Sequence, residues 1–124
     1  MSKVYRGSKE YLLIYSELIQ AAQHHGLVTY QELADLICLP LQGNHMGKEL
    51  GHYTGEISTE EAEHGRPMLS ALVVGVKGTP GEGFFGKAKE LGRLTSDDPA
   101  AQHAFWEAER KAVYETWKKS LHKS

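Results

Sequence analysis

At 124 residues the chain has the length of one domain with a single modest core, and it is too short for two. Hydrophobic residues make up 40% of it and charged residues 24%, a globular balance that excludes a disordered or fibrous chain. The formal net charge of −2, with histidine neutral, excludes a uniformly basic nucleic-acid binder; DNA contact would need positive charge gathered on one face, with partly protonated members of the seven histidines adding to it.

The chain opens MSKVYRGSKEY, without the apolar run of a secretory signal. No later run approaches the ~20 apolar residues that span a bilayer, so a cytoplasmic protein with no membrane contact is expected. From Ser8 to His25, residues Tyr11, Leu12, Tyr15, Leu18, Ile19 and Ala22 recur at the i, i+3, i+4, i+7 spacing of one buried helix face. Gly26 is the expected C-terminal cap, because glycine enters the left-handed region without a Cβ clash. Leu27 and Val28 follow as a short extended link.

The stretch from Gly26 to Gly51, GLVTYQELADLICLPLQGNHMGKELG, reads as a helix, a turn and a second helix. Thr29 and Glu32 stand at the capping-box spacing, in which each side chain satisfies the other residue's free backbone N–H. Leu33, Leu36 and Ile37 supply an apolar face. Cys38 has no second cysteine to pair with, in agreement with a reducing compartment. Pro40 stops the first helix, and the segment from about Gly43 to Leu50 forms the second. After His52, Tyr53 and Gly55, the run Ser58-Thr59-Glu60-Glu61 repeats the capping-box spacing ahead of a short acidic helix ending at Gly65.

Arg66-Pro67 changes the pattern. The run MLSALVVGV, Met68 to Val76, is rich in β-branched residues and bounded by proline and glycine, which predicts the one clear strand. Gly78 to Gly83 is a turn, and Phe84 to Leu91 a short helix capped by Gly92. Asp98 caps a long final helix, about 98–121, with Pro99 in the first position, where its missing N–H costs nothing. Phe105, Trp106, Val113, Trp117 and Leu121 give this helix an apolar surface to lay on the first helix, and Lys118, Lys119 and Lys123 suit its negative end. Apolar surface beyond what one core covers would make Trp106, Tyr114 and Trp117 a homodimer interface.

Two motifs, Val28-Thr29-Tyr30-Gln31-Glu32-Leu33-Ala34 and Met46-Gly47-Lys48-Glu49-Leu50-Gly51, resemble the DNA-binding domain of O6-alkylguanine-DNA alkyltransferases and the alkyltransferase-like proteins. The order of helix, Gly26, threonine-tyrosine motif, Met46-Gly47 helix and Arg66-Pro67 strand is that family's order, over roughly Tyr11 to Gly86. The resemblance implies a winged helix-turn-helix and a Tyr30 that helps rotate a nucleotide out of the duplex; an aromatic after a cap packs into a core just as readily. The departures are specific. The family's nucleophilic cysteine would fall near Val74, within Leu72-Val73-Val74-Gly75, so thiolate alkyl transfer is excluded there. The family's intercalating arginine would fall at Asn44, a side chain too short for that task, and the stretch from His52 to His64 is an insertion.

Two chemistries follow from the residues themselves. Asn44, His45, Lys48 and His52 on the second helix, with Arg66 ahead of the strand, can meet phosphates and base edges in a major groove. Alternatively His45, Glu49 and His52, spaced i, i+4, i+7, share one helix face and are ordinary ligands for a divalent ion such as zinc, with Glu82 in the glycine-rich GTPGEGFF loop as a further carboxylate. Against both stands the plain reading of these side chains as a solvated helix face and, for Arg66, a surface ion pair.

The sequence thus predicts a mainly α single domain, 1–124, with a small β wing and a winged helix-turn-helix. Its expected function is non-enzymatic binding of double-stranded DNA, including distorted or modified DNA, without a cofactor. The alternatives are a metal-dependent hydrolase or nuclease and a protein-interaction module that presents the acidic 56–63 stretch to a partner.

Overall fold

The structure, a computed structural model, describes residues 5–38 and 43–118, with side chains from residue 47 onward in the second segment. Among the described residues, five α-helices and a two-stranded parallel sheet make up a mainly helical fold: α1 (Lys9–Gln23), β1 (Val28–Thr29), α2 (Tyr30–Leu36), α3 (Gly43–Glu63), β2 (Val73–Val74), α4 (Glu82–Glu90) and α5 (Pro99–Trp117). A 3-10 turn, Leu69–Leu72, precedes β2.

α1 begins as its sequence dictates. The Ser8 hydroxyl accepts the Tyr11 N–H at 3.1 Å, and Tyr11, Ile14, Leu18 and Ala22 form the buried stripe. Its other end departs from expectation: His25, not Gly26, takes the left-handed conformation, with φ 55°. Gly26 instead donates its N–H to the Ala21 carbonyl at 2.8 Å, completing the C-terminal motif one residue later. Contacts from α5 accompany that choice. Tyr114 stacks on the His25 ring at 4.8 Å and donates its hydroxyl to the Gly26 carbonyl at 2.8 Å.

The capping box of α2 forms in both directions, Glu32 accepting the Thr29 N–H at 2.8 Å and Thr29 Oγ1 accepting the Glu32 N–H at 3.1 Å. Pro40, Asn44's and His45's side chains, Lys119, Leu121 and Lys123 lie outside the described residues.

The expected second helix, the insertion and the short acidic helix are one element. α3 runs 21 residues, about 32 Å at 1.5 Å per residue. Its buried face explains the continuity: Leu50, Tyr53, Thr54, Ile57, Ser58 and Glu61 recur at i, i+3, i+4, i+7, i+8, i+11. Three of those six are polar, which hides the stripe from a hydrophobicity pattern. Each is satisfied inside the chain. Thr54 donates to the Leu50 carbonyl at 3.0 Å, Ser58 pairs with the Ser70 hydroxyl at 2.7 Å, and Glu61 receives Arg66. Ser58 and Glu61 therefore cap nothing.

The run from Met68 to Val76 is strand only at Val73–Val74, where Val73 lies opposite Val28 and Val74 opposite Thr29. An extended strand sends alternate side chains to opposite faces. Met68 through Val74 are all buried, and the 3-10 turn is the conformation in which Ser70 reaches Ser58 while the Ala71 carbonyl accepts the Trp106 indole N–H at 2.8 Å.

α5 opens as predicted, with Asp98 Oδ2 accepting the Ala101 N–H at 3.1 Å and Pro99 in the first turn. It packs on α1 and on the 3-10 turn. Trp106 and Val113 enter the common core, with Phe105, Tyr114 and Trp117 half-buried beside it, so Trp106 belongs to this chain's own interior and not to a homodimer face. Among the described residues no helix is long and apolar enough to cross a membrane.

Candidate functional site

A cavity of about 470 Å³ opens between the start of α2, the first half of α3, β2 and the turn that leads into α4. Its walls are mainly apolar, and Val74 forms part of them. Tyr30 enters it from the first position of α2, held there by the Thr29–Glu32 capping box. The Tyr30 hydroxyl lies so close to the backbone of Gly81 that a Cβ at that position would come within 3.1 Å of the oxygen. Burial raises the Tyr30 pKa, a hydrogen bond from the Gly81 backbone opposes the rise, and the phenol keeps its proton at neutral pH.

The opposite wall is α3, which presents Gly47 and Gly51 one turn apart. A helix-interior glycine costs about 0.5–1 kcal/mol relative to alanine. At Gly55 the chain itself supplies a reason, since an added Cβ would sit 3.2 Å from Lys87 Cε. At Gly47 and Gly51 an added Cβ would meet nothing within 4 Å. Space, not packing, is what these two residues provide.

The third wall is the N-terminus of α4. Gly81 is its N-cap and makes no side-chain capping bond, so the first-turn amides of Glu82 and Gly83 lack an intrahelical partner at the edge of the cavity. Glu82 is exposed there, in the first turn of α4. No lysine or arginine is among the described residues that line the cavity. A hydroxyl, free amides, a carboxylate and apolar walls suit a neutral planar ring with polar edges better than a phosphate. Lys48 and Lys77, which follow the lining residues Gly47 and Val76 in sequence, are both exposed.

The remaining predicted site residues are dispersed. Tyr5 stacks on the exposed His52 with ring centroids 5.0 Å apart and donates its hydroxyl to Glu49 at 3.2 Å. Two members of the expected metal triad thus hold the N-terminal segment against α3, while Glu82 belongs to the cavity wall. Among the described residues no group of three or more histidine, cysteine, aspartate or glutamate side chains is arranged to hold a metal ion. Arg66 is not an ordinary surface ion pair. Its Nε and a terminal nitrogen reach the fully buried Glu61 carboxylate at 3.0 and 2.7 Å, and its guanidinium lies 5.3 Å from the Trp117 ring centre. The hydrogen bond to Glu61 raises the Arg66 pKa further. Glutamates of the acidic 56–63 stretch are engaged internally as well: Glu56 and Glu63 by Arg6, Glu60 by Tyr11, Glu61 by Tyr15 and Arg66.

Sequence reasoning singled out Tyr30, which lines the cavity, and gave no site role to Gly47, Gly51 or Gly81, which line it as well. The four-residue spacing of Gly43, Gly47, Gly51 and Gly55 was the available signal. No family model, curated protein or solved structure matches the chain.

Proposed function

We propose that the protein is a non-enzymatic DNA-binding protein of the winged helix-turn-helix kind, which recognises distorted or modified duplexes by taking one unstacked base into the cavity beside Tyr30. The observation that carries this reading is the open space on α3 at Gly47 and Gly51, facing a protonated tyrosine hydroxyl and the free amides of α4. A base drawn out of the stack is a neutral ring with donors and acceptors on its edges and needs close backbone approach on its faces. In this reading the exposed Lys48 on the first half of α3 and Lys77 on the turn supply the cations for the flanking phosphates. In this reading α3 is the reader, and the turn from Gly75 to Thr79 serves as the wing. Val74 offers no nucleophile, so recognition ends in binding.

Fluorescence anisotropy with a labelled duplex, fully paired or carrying one mispaired base, tests the proposal at low and moderate salt. Tighter binding to the mispaired duplex is expected, with affinity falling as salt rises because phosphate contacts release counterions. Absence of binding to either duplex at low salt rejects it.

A further inference from the structure

We propose that Val76 is an apolar wedge that enters the base stack of the bound duplex at the step vacated by the base in the cavity. The inference rests on the DNA reading above and adds to it the residue that opens the stack. Val76 is 96% exposed, whereas the other exposed large hydrophobic residues among those described, Leu12, Leu13 and Leu27, reach 58%, 36% and 40% and lie on α1 or the link after it. It also stands on the rim of the cavity.

Its exposure is not that of a slack loop. Gly75 donates its N–H to the Thr79 carbonyl at 2.9 Å, and Gly78, at φ +80°, donates to the Gly75 carbonyl at 3.0 Å. The turn is closed by two hydrogen bonds, and a β-branched side chain at its tip has few rotamers to choose from. A stiff, short, fully solvated apolar group on a braced turn has the shape of the side chains that proteins insert between base pairs, where they part the stack and bend the duplex.

The neighbours agree with a nucleic-acid partner. Lys77 is the next residue and is exposed, so a backbone phosphate flanking the opened step would find a cation beside the wedge. Across the cavity, Gly47 and Gly51 leave room for the displaced ring. One face of the site parts the stack, and the other receives what leaves it.

The test places 2-aminopurine at a mispair in a duplex and follows its fluorescence, which rises when the base unstacks, as the full chain binds. The wild-type chain should raise the signal. Val76→Gly should lose most of that rise and bind the mispaired duplex roughly tenfold more weakly, with the salt dependence unchanged because no phosphate contact is removed. Val76→Leu should keep the rise. A thermal melt controls for folding, which a residue this exposed should not disturb. Equal fluorescence and affinity for Val76→Gly and wild type overturns the wedge, and a loss of the rise in Gly51→Ala alone leaves the base cavity standing without it. A wild-type chain that binds no duplex overturns both readings.

Discussion

Arg66 closes over Glu61 from five residues away, two of its nitrogens on a carboxylate that solvent does not reach. Tyr15 donates its hydroxyl to the same carboxylate, so three elements meet at one buried charge: α1, the end of α3 and the segment before the 3-10 turn. Removing one partner of a buried ion pair leaves the other uncompensated, at a cost of about 3–5 kcal/mol. The Arg66 side chain is itself 34% exposed, so solvent screens part of that loss, and Arg66→Met should lower the urea unfolding free energy by about 1–3 kcal/mol. Replacing both partners, Arg66→Met with Glu61→Met, should recover most of it. Undiminished stability in Arg66→Met would return its guanidinium to the set of DNA contacts.

Gly51→Ala separates folding from binding. The added methyl meets nothing within the chain, so stability should stay level or rise by about 0.5–1 kcal/mol, the helix-propensity difference. Duplex affinity should fall, because the methyl occupies the space assigned to the base. A thermal melt beside an anisotropy titration checks both halves, and unchanged affinity would remove α3 from the cavity's function.

Thr29→Ala should cost about 1 kcal/mol, the usual loss for an N-cap. Thr29 positions Tyr30 as well as capping α2, so binding of a mispaired duplex should weaken along with it. Thr29→Ser keeps the hydroxyl and should restore both in the same denaturation and anisotropy measurements.

The phenols of Tyr11 and Tyr15 set the alkaline limit of stability. Burial and their hydrogen bonds to Glu60 and Glu61 hold both pKa values well above the ordinary tyrosine range. The folded chain then keeps protons that the unfolded chain releases, so this contribution is complete below a pH of about 10 and is lost as the pH rises beyond it. Urea midpoints compared between a pH of about 8 and about 10.5 should drop in the wild type and drop less in Tyr15→Phe. Ultraviolet absorbance of the phenolates should show these two ionising only as the chain unfolds.

The local signals in the sequence were dependable where they were self-contained. The Thr29–Glu32 box and Asp98-Pro99 each satisfy backbone groups within a few residues, and each opens its helix in the structure. Signals that depend on distant partners were misleading. Ser58 looked like a cap until Ser70 was beside it, and Leu69 to Leu72 looked like part of the strand that only Val73 and Val74 form, until Ser58 and Trp106 claimed the turn's polar groups. The same distinction governs the site. Tyr30 stood out by its motif, whereas Gly47 and Gly51 line the cavity with open space about them, and emptiness leaves no pattern in a hydrophobicity profile.

The cavity takes its walls from residues between Thr29 and Gly83, spread over two strands and three helices. No single element contains it, so only a state in which these elements are packed together can hold a ligand there. Occupancy is then coupled to global unfolding: a ligand at one hundred times its dissociation constant adds about 2.7 kcal/mol to the native state. A shift of the melting temperature therefore reports any true occupant of the cavity, which turns the whole molecule into a screen for the bases, lesions and small heterocycles that fit beside Tyr30.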